Sequence, residues 1–257
     1  MSPRRLPWRV LLAAAALAFA SGCATVAPGS APATAQAANP ADPWENWNRK
    51  VFAFNEAIDE AVLKPVAQAY RDAVPQMVRT GVGNFFGNIG DVWSAANHFL
   101  QGKVGSGFEM GMRVLTNTLF GLGGVLDPAT EMRLPRRSED FGQTLGVWGL
   151  PAGPYIVLPL LGPSSVRDTA GLPLDRYATM SSHVVDAEAW SMSVLQIVNV
   201  RAELLATTQL LSDVSLDKYS FLRDGYLSRR RDQVYDGAPP LEKFEDEFAD
   251  EPPKKGN

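Results

Sequence analysis

Between Gly81 and Gly124 the chain carries eleven glycines in 44 residues, set among Phe85, Phe86, Ile89, Trp93, Phe99, Leu100, Phe108, Met110, Met112, Leu115, Leu119 and Phe120. Glycine in a water-exposed helix costs about 1 kcal/mol relative to alanine, so this density suits an ordinary soluble helix poorly. In a membrane, small residues let helices approach closely, and Gly107 and Gly111 have the small-xxx-small spacing. Yet Arg79, Asp91, Lys103, Glu109 and Arg113 interrupt every apolar window, and no stretch after residue 23 is a clean transmembrane helix. Two arrangements satisfy these facts. One is a set of amphipathic helices lying in a membrane interface or inserted part-way. The other is a glycine-rich soluble bundle with ordinary turns.

The N-terminus favours a membrane. Arg4, Arg5 and Arg9 precede an uninterrupted apolar run from Val10 to Ala20, which ends in Ala20-Ser21-Gly22-Cys23. The run is too short to span a bilayer, and its length and flanks fit a secretory signal over residues 1–22. Its last four residues resemble a lipobox, although Ala20 stands where leucine is usual. Cys23 is the only cysteine, so it has no internal disulfide partner, and acylation gives the lone thiol a role. Ala24, rather than aspartate, after that cysteine implies sorting to the outer membrane, with the protein lipid-anchored on the periplasmic face. Without the three leader arginines, 21 basic and 28 acidic side chains remain, a net charge of −7 that argues against a nucleic-acid partner.

Composition divides the mature chain into an acylated cysteine and Ala/Pro-rich tether over 23–42, a folded domain over 43–235, and an acidic tail over 236–257. The folded part reads as helical. Asp42, Pro43 and Glu45 form a helix start, with Asp42 as cap and Glu45 completing a capping box. Trp44, Trp47, Val51, Phe54 and Ile58 follow at spacings of 3 and 4, a single apolar stripe. Lys64-Pro65 ends that helix and starts the next. Trp190, Val194, Ile197 and Leu204 mark a helix from about Asp186 to Ala206, and Asp217 caps another running through Tyr219, Leu222 and Tyr226 to Val234. Only Pro154 to Leu161 reads as strand, short or irregular because of its prolines.

Asp42-Pro43-Trp44-Glu45-Asn46-Trp47-Asn48-Arg49, with Val51-Phe52-Ala53-Phe54-Asn55, resembles the opening of the MlaA (VacJ) family of outer-membrane phospholipid-transport lipoproteins. The likeness continues through Tyr70-Arg71-Asp72, Asn84-Phe85-Phe86-Gly87-Asn88, Asn97-His98-Phe99-Leu100-Gln101-Gly102, Asp140-Phe141-Gly142-Gln143-Thr144-Leu145-Gly146 and Gly162-Pro163-Ser164-Ser165-Val166-Arg167-Asp168. It covers about 42–235, and Asn46-Trp47-Asn48 departs mildly from the expected pattern. The resemblance implies an all-α, ring-like single domain of mostly amphipathic helices that encloses an amphipathic channel and is embedded in the membrane interface. Phospholipids misplaced in the outer leaflet of the outer membrane would enter this channel and be handed to a periplasmic lipid-carrier protein, maintaining lipid asymmetry. The resemblance also implies association with trimeric porins. It places a hairpin near the channel base at about Gly146 to Pro154, where Gly146, Gly149 and Gly153 are candidate gating positions; an ordinary surface turn explains the same residues.

Two other classes compete. A porin-associated structural lipoprotein has the same composition. An enzyme acting on phospholipids has little support. No G-x-S-x-G elbow and no Walker A loop occur. His98 and His183, the only histidines, stand far apart, and no metal site or cofactor is expected. Ser165 and Asp168 read as a capping box. Arg229-Arg230-Arg231, the densest basic run, reads as cations near a helix C-terminus or as contacts to anionic head groups. In the acidic tail, Leu241, Phe244 and Phe248 are spaced by 3 and 4 and would share one face of a short helix. They are candidates for docking the lipid carrier, the alternative being a solvating tail with incidental aromatics.

Overall fold

The computed structural model describes residues 39–181 and 187–240. Cys23, His183, Leu241, Phe244 and Phe248 lie outside the described residues, as do the leader and most of the tether. The described part is helical but for one two-stranded hairpin.

The first helix, α1 (Glu45–Ile58), starts two residues later than the capping-box reading places it. Its N-cap position is Trp44, whose side chain makes no capping hydrogen bond.

 Asp42 is instead buried. It accepts a hydrogen bond from Asn48 Nδ2 at 2.8 Å and others from the Tyr219 hydroxyl and the Arg223 guanidinium. A cap would leave that carboxylate in water, whereas here three donors satisfy it in the interior. Asn48 closes the arrangement. Its Nδ2 donates to the Tyr155 carbonyl at 3.1 Å, and its Oδ1 accepts from the Val157 N–H at 2.9 Å. The Asp42–Asn48 pair thus fastens α1 to the strand β1 (Tyr155–Leu158), which pairs antiparallel with β2 (Gly162–Ser165).

Pro65 does not break the chain. α1 runs through a π-helical turn (Asp59–Leu63) into α2 (Lys64–Ala73). A proline ring collides with the carbonyl four residues back in an α-helix. The wider turn relieves this, and the Lys64 N–H reaches the Asp59 carbonyl instead. Then α3 (Gln76–Leu100) and α4 (Val104–Phe120) form a long antiparallel hairpin, followed by the short α5 (Pro128–Glu131) and α6 (Phe141–Val147). After the strands come α7 (Val166–Arg176), a second π-helical segment (Tyr177–Ser181), α8 (Ala187–Val214) and α9 (Lys218–Val234). Asp217 caps α9 as its position suggests, accepting from the Tyr219 N–H at 3.1 Å. The α8 helix runs two turns beyond Ala206.

Contacts between these elements close a circuit. α2 packs on α8, α8 on α3, α3 on α6, α6 on α9 and α9 on β2; β1 then packs on α1, which leads back to α2. Two small apolar clusters hold it. Val51, Tyr155, Val157 and Tyr219 join α1, β1 and α9, while Ala67, Ala202 and Leu205 join α2 to α8. Arg201 reinforces the second joint through two 2.7 Å contacts with Asp59.

The remaining burial is inverted relative to a soluble bundle. Among the described residues, nineteen of the buried ones are polar or charged and ten are hydrophobic. On α4, Gly107, Met110, Arg113 and Thr116 face inward. Phe108, Met112, Leu115 and Leu119 face outward, Leu119 being 71% exposed. The sequence stripes behave likewise: Trp47, Phe54 and Ile58 on α1, and Val194, Ile197 and Leu204 on α8, are exposed, and Val51 alone of the α1 stripe is buried. No helix among the described residues is long and apolar enough to cross a membrane.

Candidate functional site: a polar cavity walled by charged pairs

On its cavity side α3 presents Phe86, Asp91 and Trp93 together with Gly83, Gly87, Gly90 and Ser94, small residues at helical spacing. They leave room for a cavity of about 610 Å³, closed on other sides by side chains from α6, α7, α8, α9 and the 136–140 segment. Each glycine makes space differently. A Cβ on Gly87 would fall 2.5 Å from the Arg136 guanidinium, and one on Gly83 would fall 3.2 Å from Glu203 Oε1, whereas one on Gly90 would meet nothing within 4 Å. The suggested Gly107–Gly111 packing pair is only half used: the Phe99 ring covers Gly107, and Gly111 faces open space.

Two charged clusters form the wall. Arg113, 1% exposed, donates from Nε to Asp91 at 3.0 Å, from Nη1 to the Leu134 carbonyl at 2.6 Å, and from Nη2 to Asp127. Arg136 donates to the same Asp91 at 3.1 Å. On the far side Arg230 spans two carboxylates. It meets Asp140 through contacts of 2.6 and 2.9 Å and Asp168 through contacts of 2.8 and 3.0 Å. Arg167 and the Tyr226 hydroxyl also donate to Asp168. Burial by itself would raise the Asp168 carboxyl. The Arg230 guanidinium overrides it and, with Tyr226 and Arg167, holds that group at about 2. Burial likewise opposes charge on Arg230, yet its two carboxylates raise it above the ordinary range.

Hydrogen bonds lock α6 against α3. Thr144 Oγ1 donates to Asn97 Oδ1 at 2.7 Å, Gln101 Nε2 donates to Glu139 Oε2 at 2.9 Å, and the Trp148 indole donates to the Leu100 carbonyl at 3.0 Å. The Asn97–Gly102 motif is therefore a clamp for α6. His98 belongs to the same buried layer, with Nε2 3.2 Å from the Arg137 carbonyl. No group of three metal-ligating side chains occurs among the described residues.

A second cavity of about 880 Å³ lies under the 146–153 segment and shares the Tyr226 and Arg230 walls with the first. The three glycines of that segment differ. Gly146 is a packing position, since a Cβ there would meet Arg167 and Val234 within 3 Å. Gly149 and Gly153 have φ of +95° and +68°, which L side chains rarely adopt.

The Arg230 cluster could not be read from the sequence. Ser165 does cap α7, accepting from the Asp168 N–H at 3.1 Å. The Asp168 side chain, however, does not complete a capping box: it is drawn to Arg230, 62 residues away. The Arg229–Arg231 run also divides. Arg230 is half-buried in the cluster, Arg229 lines the first cavity, and Arg231 donates to the Pro240 carbonyl. The only local hint was a helix of Arg and Tyr at spacing 4, Tyr226 and Arg230, which put two donors on one face.

Comparison with known proteins places the chain. The MlaA lipoprotein family profile matches residues 40–233. The intermembrane phospholipid transport system lipoprotein MlaA of Escherichia coli K12 is 37% identical over 199 residues, which are 73% of this chain and 76% of that protein. Its Haemophilus influenzae namesake is 31% identical over 210 residues, covering 79% and 83%. A solved structure from work on the structural basis for maintenance of bacterial outer membrane lipid asymmetry superposes with a TM-score of 0.67 at 36% identity, covering 75% of this chain and 98% of its own. The chain belongs to the MlaA lipoprotein family.

Proposed function

We propose that this chain is an outer-membrane lipoprotein through which phospholipids leave the outer leaflet, pass along the polar cavity and reach a periplasmic carrier, so that lipid asymmetry is maintained. One observation carries the reading: large apolar side chains line the outside while charged and amide side chains fill the interior. In water this distribution is unfavourable, because burying one large apolar side chain is worth about 1.5–3 kcal/mol and most of those here remain exposed. With lipid tails around the helices the outward face is solvated, and the inner polar surface offers a charged head group a path. The names of the Escherichia coli and Haemophilus influenzae relatives, both phospholipid transport system lipoproteins, support the same reading. Anchoring rests on Cys23. Cys23→Ser is expected to abolish acylation and outer-membrane fractionation and to raise outer-leaflet phospholipid. A variant that still fractionates with the outer membrane, alongside a wild type whose N-terminus carries no lipid, counts against it.

The segment from Gly146 to Pro154 supplies the gate in this reading. Gly149→Ala meets no atom within 4 Å, so its cost is confined to the backbone, about 1–2 kcal/mol at positive φ. Stiffening this turn should raise outer-leaflet phospholipid at unchanged protein abundance; normal lipid levels remove the gating role. The tail provides the handover. Phe244→Ala with Phe248→Ala should weaken binding of the purified carrier at least several-fold without altering anchoring, the outcome for a short helix whose apolar face docks in a groove. Unchanged affinity excludes that role. Trimeric porins are the proposed neighbours in the membrane, to be sought by co-purification in mild detergent.

A further inference from the structure

Most charges in the cavity wall are already matched. Asp91 is held by Arg113 and Arg136, Asp140 by Arg230, and Glu139 by Lys103. Three lining groups are left over: Arg229 on α9, Asp175 on α7 and Glu203 on α8 line the cavity and take part in no ion pair among the described residues. One cation and two carboxylates thus face the same space without an ion-pair partner among the described residues.

Both carboxylates are positioned by the fold. Asp175 Oδ1 accepts from the Trp93 indole at 2.7 Å and from the Phe141 N–H at 2.8 Å, which leaves Oδ2 without a hydrogen bond among the described residues. Burial pushes this carboxyl above the usual range, the condition that an arriving cation relieves. Glu203 Oε1 accepts from Asn199 Nδ2 at 3.1 Å, and Asn199 is itself buried and bonded to the Tyr70 hydroxyl. Gly83 opposite leaves space for the Glu203 carboxylate. Beside this polar space runs a mostly apolar cleft of about 450 Å³, lined by Leu63, Ile197 and Leu204 with Arg176 and Arg201, and sharing Asp175, Thr179, Gln196 and Val200 with the cavity. A polar pocket opening onto an apolar cleft suits a molecule with a charged head and hydrocarbon tails.

Resting on the conduit reading above, we infer that the cavity selects head groups that carry both a phosphodiester and an ammonium. Arg229 receives the phosphate, Asp175 and Glu203 receive the ammonium, and tails lie along the Leu63–Leu204 cleft. A lipid whose head group is only anionic meets two unmatched carboxylates with nothing to offer them. The expected preference is about threefold, the worth of one partly exposed ion pair.

The test uses the full acylated protein in mild detergent, incubated with mixed micelles equimolar in phosphatidylethanolamine and phosphatidylglycerol, with captured lipid measured by mass spectrometry. Wild type should hold about three times more of the ethanolamine lipid. Asp175→Asn with Glu203→Gln should bring the ratio to one or below while total lipid is kept. The asparagine retains the acceptor for Trp93 and Phe141, and Glu203→Gln alone, at an exposed position, gives a second variant with an intermediate ratio. Arg229→Gln should reduce capture of both lipids. Equal capture by wild type, or a ratio unmoved by the carboxylate variants, overturns the head-group selection while leaving the conduit standing. Absence of any captured lipid overturns both.

Discussion

Arg230→Met should lower the stability of the folded domain by about 3 kcal/mol, the lower end of the cost of removing one partner from a buried ion pair, because the Asp140 carboxylate is 35% exposed. The reason is what it leaves behind. Asp140 and Asp168 would keep their negative charges, now facing each other without the guanidinium that bridges them. Arg167 and Tyr226 would still reach Asp168, but Asp140 would retain only Gln143. Denaturant unfolding in detergent measures the loss. The neighbouring Arg229→Met, at an exposed position with no ion pair among the described residues, should change stability by no more than about 0.5 kcal/mol. Equal effects at both positions would mean that the cluster does not hold α6, α7 and α9 together. The same cluster sets an acid response. Asp168 is held below its ordinary value, so its contribution is complete above pH about 4 and is lost as pH falls towards about 2. Asp168→Asn should flatten that part of the stability profile.

Gly90→Phe should raise outer-leaflet phospholipid to the level of a strain lacking the protein, with protein abundance unchanged. Gly90 sits on the cavity face of α3, and a Cβ there meets nothing within 4 Å. An aromatic ring at that point occupies the lumen instead of displacing a neighbour. Replacing a helical glycine also favours the helix by a few tenths of a kcal/mol, so loss of fold is not the expected route. Gly87→Phe is the informative contrast. Its side chain would strike the Arg136 guanidinium and disturb the Arg136–Asp91 pair, costing stability as well as transport. Outer-leaflet phospholipid responds to the path itself. Normal levels in Gly90→Phe, at normal abundance, would show that lipids do not travel through this cavity.

Much of the fold was legible in short stretches of chain. The Asp217 cap, the α9 helix that follows it, the Ser165 cap and the brief strand after Pro154 all depend on bonds or spacings within a few residues, and each is present. The apolar stripes on α1 and α8 were equally plain as periodicities. Their direction was not, because a period of 3.6 defines a face without saying whether water, protein or lipid covers it. The charged residues were ambiguous for a related reason. Asp42 and Asp168 each stand where a local cap is reasonable, yet both carboxylates take partners from α9, which arrives far along the chain. Arg113–Asp91 and Arg230–Asp140 are 22 and 90 residues apart. The sequence by itself determined the helical character, the caps at Ser165 and Asp217 and the two-sided nature of the helices, since these arise from interactions within about four residues. Only the tertiary structure decided that the polar sides turn inward and which charges meet there, because closing the circuit of helices brings distant carboxylates and guanidiniums into a space where each must find a partner.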